Sequence, residues 1–260
     1  MSITFNQMAE ALATQRTLRQ RLVNDLSHEL NTPLSVIQLE MQALRDGLQT
    51  PAQAFEQVQG EIELLRNLVR DLSNLETTDN GHFPLQCEPV DLLALAQRAI
   101  KRWQAKAESK GVTLTLAAPV DLLPITEADP ARLTQVLGNL LDNALRHTET
   151  GGTITVACQV ATLAALALPP TYRPVTALTG PGLVMTVSDT GCGIPAADLP
   201  HLFERFYRVD SSRNRRSGGR GLGLAIVRQI ITAHGGHLWV RSSEGQGSCF
   251  GFWLPINEIE

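Results

Sequence analysis

Two long apolar stripes near the start of this chain restrict its fold more than any other feature. Between residues 6 and 46, apolar or neutral positions recur at Met8, Leu12, Gln15, Leu18, Leu22, Leu26, Leu30, Pro33, Ile37, Met41 and Leu44. Strides of three and four place them along one side of a single helix. Asp46-Gly47 is a stop signal, and Thr50-Pro51 restarts a helix with Thr as N-cap and Pro at the first helical position. A second stripe follows at Phe55, Val58, Ile62, Leu65, Val69, Leu72 and Leu75, and fades at the turn-rich Thr77-Thr78-Asp79-Asn80-Gly81. A hairpin of two such helices cannot hide both stripes from water, whereas two hairpins paired as a four-helix bundle can. A homodimer is therefore expected on physical grounds.

From Pro89 the pattern changes to mixed helix and strand. Asp91 caps a helix to about Lys110, and Asp129-Pro130 opens another that ends near His147. Val112–Leu116, Gly152–Cys158 and Leu183–Ser188 read as strands, Leu222–His234 as a helix, and Gly236–Ser243 with Ser248–Leu254 as a closing hairpin. Without a strict βαβ alternation, this order suggests an α/β sandwich with helices on one sheet face. Val160–Gly182, with its Ala-Leu repeats and four prolines, separates two strands that would otherwise form a hairpin and reads as a surface insertion folded over an edge.

Bulk properties exclude several classes. A hydrophobic content of 43% supports a packed core, and a net charge of −4 argues against nucleic acid as a partner. Cys87, Cys158, Cys192 and Cys249 form neither a CxxC pair nor a disulfide framework, which fits a reducing, cytoplasmic compartment. No apolar run approaches the roughly 20 residues of a membrane span, so no membrane contact is expected of this stretch.

The richest local segment is Asp25-Leu26-Ser27-His28-Glu29-Leu30-Asn31-Thr32-Pro33-Leu34. His28 lies two positions from both Leu26 and Leu30, roughly 200° around a helix, so it points outward where they point in. An exposed imidazole presents a neutral nitrogen as nucleophile near neutral pH. Glu29 is placed to take the proton from the other ring nitrogen. Thr32 follows one turn later on the same face, and Pro33 removes one backbone hydrogen bond just after the reactive site.

Three further segments read as one nucleotide site. In Asn139-Leu140-Leu141-Asp142-Asn143-Ala144-Leu145-Arg146-His147, the residues Asn139, Asn143, Arg146 and His147 share a helix side. Neutral amide oxygens suit Mg²⁺ when phosphates supply the charge, and Arg146 suits a phosphate. In Asp189-Thr190-Gly191-Cys192-Gly193, directly after a strand, the glycines let backbone approach a ligand, and the aspartate suits the exocyclic amine of adenine. In Ser217-Gly218-Gly219-Arg220-Gly221-Leu222-Gly223, a glycine-rich loop opens onto an apolar helix whose free amides suit phosphate. No Lys-Ser or Lys-Thr follows, so this is not the P-loop. Leu202 to Arg208 and the arginine-rich 211–216 segment before it read as a flap anchored by Phe203 and Phe206.

These motifs, in order and spacing, resemble those of the sensor histidine kinases of two-component systems over about residues 20–255. Ser27 to Leu34 is similar to their phosphoacceptor box, Asn139 to His147 to the N box, and Asp189-x-Gly191-x-Gly193 to the G1 box. Phe203 to Tyr207 resembles the F box, and Gly219-x-Gly221-x-Gly223 the G2 box. The resemblance implies the end of a signalling linker helix over 1–18 and a dimerisation and phosphotransfer bundle over 19–80. A Bergerat-type ATP-binding α/β sandwich over 81–260 would follow, with its insertion at about 160–182. It implies ATP and Mg²⁺, with Asn143 as main metal ligand assisted by Asn139, Arg146 on phosphate, and His147 flanking the base or ribose. Asp189 would bind the adenine amine, and Gly191, Gly193, Gly219, Gly221 and Gly223 would shape pocket and lid. His28 would take the γ-phosphoryl group with Glu29 as general base, Thr32 would serve dephosphorylation of the partner, and that partner would be a response-regulator receiver domain. The cytoplasmic portion of a membrane-anchored sensor is the implied setting. Asn31 stands where the family usually has a basic residue, Arg220 where a small one is common, and the 160–182 segment is longer than the usual link. The alternatives are an ATP-binding dimeric pseudokinase scaffold, or a kinase or ATPase acting on another protein's side chain.

Overall fold

In the computed structural model, which describes residues 27, 30–76, 84–117, 123–166, 168–172, 180–209 and 221–256, the first stripe is helical over 30–45 (α1). The earlier part of that stripe and the 77–83 linker lie outside the described residues. The chain divides into two units, Met1–Glu76 and Thr77–Glu260.

In the first unit, α1 stops where the sequence places its stop. Gly47 has φ +71, a conformation that favours glycine. Leu48 N–H donates to the Ala43 carbonyl at 2.8 Å and Gly47 N–H to that of Leu44 at 3.2 Å, a Schellman ending. The second helix, α2 (Pro51–Glu76), starts with a capping box. Gln53 N–H donates to Thr50 Oγ1 at 3.4 Å, and Thr50 N–H to Gln53 Oε1 at 3.1 Å. Along α2, Phe55, Ile62 and Val69 are 66%, 40% and 57% exposed. On α1, Leu34 and Met41 are exposed as well. Each set repeats at seven residues, the period with which helices pack side by side in bundles.

The second unit is a sheet with one layer of helices. Its elements are β1 (Glu88–Val90), α3 (Leu92–Ser109), β2 (Thr113–Ala117), β3 (Thr126–Ala128), α4 (Pro130–His147), β4 (Thr153–Thr162), β5 (Pro181–Asp189), α5 (Gly223–Ala233), β6 (His237–Ser242) and β7 (Ser248–Pro255). Five strands run in the order β2-β4-β5-β7-β6. Only β2 and β4 pair in parallel; the other neighbours are antiparallel. Strand alternation sorts the side chains onto two faces. Ile154, Val156, Met185, Val187, Phe250 and Phe252 share the buried face toward α3, α4 and α5, with α4 between the other two helices. A two-stranded sheet, β1 with β3, was not foreseen from sequence; its strands have only three residues each.

The insertion departs from the expectation of a surface feature. β4 continues to Thr162, and Leu163, Leu166, Leu168 and Tyr172 are all buried. Arg241 donates to the Leu166 carbonyl, and Trp253 Nε1 to that of Ala161 at 3.0 Å. The insertion's partners, Arg241 and His237 of β6, are too distant in sequence for local pattern to reveal.

Candidate functional site

α4 organises the site, so its placement comes first. Leu133, Val136, Leu137, Leu140, Leu141, Ala144 and Leu145 are buried, which leaves the opposite side polar. At its start, Asp129 is 5% exposed and accepts from Arg132 N–H and Gln86 N–H, both at 3.0 Å. Burial pushes the Asp129 carboxyl up, but these backbone donors outweigh it and hold the pKa below the ordinary 3.8. Asp129 N–H donates to His234 Nε2 at 3.0 Å, while His234 Nδ1 pairs with the Ile230 carbonyl at 2.8 Å, which ties the α5 end to the α4 start. That accounts for His234 structurally. At the other end, Lys110 Nζ donates to the Arg146 carbonyl at 3.1 Å, a cation on exposed helix carbonyls.

The polar side of α4 presents four residues in order. Asn139 Nδ2 donates to the Gly223 carbonyl at 3.2 Å. Asn143 is half-buried, and its amide pairs with none of the described residues. Arg146 donates to Asp142 Oδ2 at 2.7 Å, and Lys106 of α3 donates to Asp142 Oδ1 at 2.7 Å. Partial burial raises the Asp142 pKa, but the two cations outweigh it and lower the value. His147 stays exposed at the helix end. Partial loss of water around its ring, then the cations of Arg146 and Lys110, overcome the Asp142 charge and keep its pKa below the usual 6.5, so the ring is neutral at pH 7.

Asp189 ends β5 and is 8% exposed. Its Oδ1 accepts from Gly191 N–H at 2.8 Å and Ser248 N–H at 3.3 Å. Its other oxygen pairs with none of the described residues and is available to an external donor. Burial raises its pKa above 3.8 against the lowering effect of those two amides. Gly191 packs so closely on α4 that a Cβ there would lie 2.5 Å from the His147 carbonyl oxygen. Gly193 meets the Ser243 carbonyl in the same manner.

At the other end of α4, Gly223 opens α5 directly beside Asn139. Its N-cap residue, Leu222, makes no side-chain capping bond, so among the described residues the first amides of α5 keep no side-chain cap at the positive end of the helix dipole. Gly221 precedes it at φ +70 and accepts from Phe206 N–H at 2.9 Å. Asn139 and His147 are eight residues apart, about 12 Å along the axis. The polar side of α4 thus runs from the α5 amides at one end to the Asp189 carboxylate at the other.

Of the remaining expected residues, Thr32 is exposed on α1, while His28, Glu29 and Gly219 lie outside the described residues. Sequence reasoning missed the brace behind Asp189. Ser242 Oγ accepts from Ile194 N–H at 2.9 Å and donates to the Gly247 carbonyl at 2.8 Å, so the β6–β7 turn holds the Gly191–Ile194 loop. The Gly245-Gln246-Gly247 turn was visible, but its partner lies about fifty residues away. Asp142 was also missed, although its spacing to Arg146 is a helical ion-pair spacing.

Comparison with known proteins gives matches over most of the chain. The family model described as Histidine kinase-, DNA gyrase B-, and HSP90-like ATPase matches residues 128–258, and the His Kinase A (phospho-acceptor) domain matches residues 18–81. The signal transduction histidine-protein kinase BaeS of Escherichia coli (strain K12) is 35% identical over 254 residues, 97% of this chain and 50% of its own length. The structure of the Acinetobacter baumannii histidine kinase AdeS is similar at TM-score 0.65 and 25% identity, over 89% of this chain and 98% of that one. Full-length ShkA in complex with AMPPNP is similar at TM-score 0.61 and 27% identity, over 89% of this chain and 44% of that one. The chain spans only part of the length of the curated relatives it matches, 50% for BaeS and 37% for WalK of Bacillus subtilis (strain 168).

Proposed function

Because the chain belongs to the sensor histidine kinases of two-component systems, we propose that it is an ATP-dependent protein kinase that phosphorylates its own His28. The phosphoryl group then passes to an aspartate of a response-regulator receiver domain, and Thr32 serves the reverse, phosphatase activity. The observation that carries this reading is that the polar side of α4 brings together the Asn143 amide, the start of α5 beside Asn139 and the second oxygen of Asp189, the Asn143 amide and that oxygen having no hydrogen-bond partner among the described residues. Those are complements to a metal–phosphate group, to phosphate oxygens and to an exocyclic amine.

In this reading Asp189 takes the adenine amine and His147 flanks the base or ribose. Arg146 reaches phosphate by leaving Asp142, and the α5 amides receive phosphate oxygens beside Gly223. The donor set fits Mg²⁺ carried by a nucleotide. Asn143 and Asn139 offer neutral oxygens, and no group of three or more His, Cys, Asp or Glu among the described residues could hold a metal ion without phosphate charge. Bound there, Mg²⁺ would neutralise phosphate charge. Gly191, Gly193, Gly219, Gly221 and Gly223 shape the pocket and its lid. In the chemical step a ring nitrogen of His28 attacks the γ-phosphorus, the bond to the β-phosphate oxygen breaks, ADP leaves, and Glu29 takes the proton from the other ring nitrogen. The structure of ShkA in complex with AMPPNP supports a nucleotide as the ligand.

The proposed division is a linker helix end over 1–18, a phosphotransfer hairpin over 19–80 and an ATP-binding domain over 81–260. The seven-residue apolar repeats left exposed on α1 and α2 support a homodimer. Among the described residues no helix is long and apolar enough to cross a membrane. We place the chain as the cytoplasmic portion of a larger sensor.

Incubation with γ-labelled ATP and Mg²⁺ tests the reading. The expected product carries label that survives base and is lost in acid, as a phosphoimidazole requires. Persistence of that label in His28→Ala would falsify the assignment.

A further inference from the structure

The insertion between β4 and β5 does more than cover the sheet. Tyr172 in it is 8% exposed and fixed on both sides of its own backbone. Its N–H donates to the Pro169 carbonyl at 2.9 Å, and its carbonyl accepts from His237 Nε2 on β6. Its hydroxyl donates to the Leu199 carbonyl, in the short 3-10 turn Leu199–His201. Burial pushes the phenol pKa up to about 12, so the hydroxyl remains a donor at neutral pH. Its ring meets Phe203 edge-on, with centroids 5.7 Å apart and planes at 80°. Phe203 in turn meets Phe250 of β7 at 6.5 Å and 85°.

Three residues beyond Phe203, Phe206 holds φ +63, a left-handed conformation costly for a bulky side chain. Such a conformation persists only where its surroundings enforce it. Here Phe206 N–H is bonded to the Gly221 carbonyl, and a Cβ on Gly221 would lie 2.6 Å from the Phe206 carbonyl carbon. Gly221 stands two residues before the start of α5, where Gly223 adjoins Asn139. Contacts therefore join Tyr172 to Leu199 and Phe203, and Phe206 to Gly221, while the short chain segments 199–206 and 221–223 connect them to each other and to the start of α5.

We propose that Tyr172 is a positioning residue for the phosphate end of the nucleotide pocket, acting through residues 199–206 on Gly221. This rests on the ATP-binding reading above and adds a role for the insertion that no motif of the site contains. Small displacements of phosphate-binding amides are costly, because positioning carries most of phosphoryl transfer. Asp189 and Gly191 are held by α4 and by the β6–β7 turn instead, so the adenine end is independent of Tyr172.

The test uses the full chain and measures affinity for Mg-AMPPNP and for adenosine, the release rate of Mg-AMPPNP, and the unfolding temperature. Tyr172→Phe keeps the ring and removes only the donor. It should weaken Mg-AMPPNP about three- to tenfold, speed its release in proportion, and leave adenosine unchanged. Arg241→Ala, which cuts the tie to Leu166 elsewhere in the insertion, should lower the unfolding temperature without changing either affinity. The inference is overturned if Tyr172→Phe binds Mg-AMPPNP as the parent chain does, or if both ligands weaken alike in both variants. A parent chain that binds neither ligand would overturn the ATP-binding reading itself, and this inference with it.

Discussion

Asp189 shows how a single side chain sets function against stability. Its buried carboxyl has one oxygen without a partner among the described residues, the one that the proposed function gives to the adenine amine, and burial raises its pKa above 3.8. A raised folded-state value means the fold holds the proton more tightly than the unfolded chain does. Stability contributed by this group is therefore full below 3.8 and is lost as pH rises through the higher, folded value. At neutral pH the ionised carboxylate is carried at a cost, offset in part by Gly191 and Ser248 N–H. Asp189→Asn should unfold at the same or a higher temperature than the parent chain at pH 7, yet bind adenine nucleotides about ten- to a hundredfold more weakly, the scale of a hydrogen bond to a charged acceptor. Calorimetry of unfolding and of binding on the same samples checks both halves. Acidification should weaken nucleotide binding in the parent chain before the pH reaches 3.8, and should weaken the residual binding of Asp189→Asn less.

Among the elements, α4 carries the most consequence, because both ends of the pocket are measured from it. Its start depends on Asp129, whose side chain accepts one backbone amide from Arg132 in its own first turn and one from Gln86, 43 residues away. Asp129→Ala should cost about 1–2 kcal/mol, seen as a fall of about 2–4 °C in Tm per kcal/mol. The carboxyl's folded pKa is lowered, so its contribution is full above 3.8 and disappears as pH falls below that value. Thermal melts of parent and variant should therefore converge in acid, and a constant gap down to pH 2 would contradict the capping account. Local signals made such elements legible. Asp91 and Asp129 cap α3 and α4, Gly47 ends α1 and Thr50 starts α2, all within a few residues of the features that announce them. Long-range partners were not legible. Ser248 binds Asp189 from 59 positions away, and Tyr172 reaches β6 across 65, so neither the brace of the pocket nor the burial of the insertion shows in any short window. Strand β4 runs past its expected end because it stays paired with β5 as far as Thr162 opposite Pro181, a partner strand that lies beyond the insertion in sequence.

For the molecule as a whole, the two units present complementary incompleteness. The first exposes Phe55, Ile62 and Val69 in a seven-residue repeat, which a second copy would bury. Ile62→Glu places a charge in that stripe and should shift the chain from dimer to monomer in analytical ultracentrifugation at micromolar concentration. An unchanged sedimentation coefficient would exclude the α2 stripe as the contact. The second unit brings Asn143, the start of α5 and Asp189 to the polar side of α4, and the proposed function links these residues to His28. The most direct measurement is site-resolved mass spectrometry, at alkaline pH, of the chain after incubation with ATP and Mg²⁺. The account predicts phosphate on the peptide containing His28, at the imidazole, and its loss in Asn143→Ala. Phosphate on another residue, or undiminished His28 phosphate in Asn143→Ala, would contradict it.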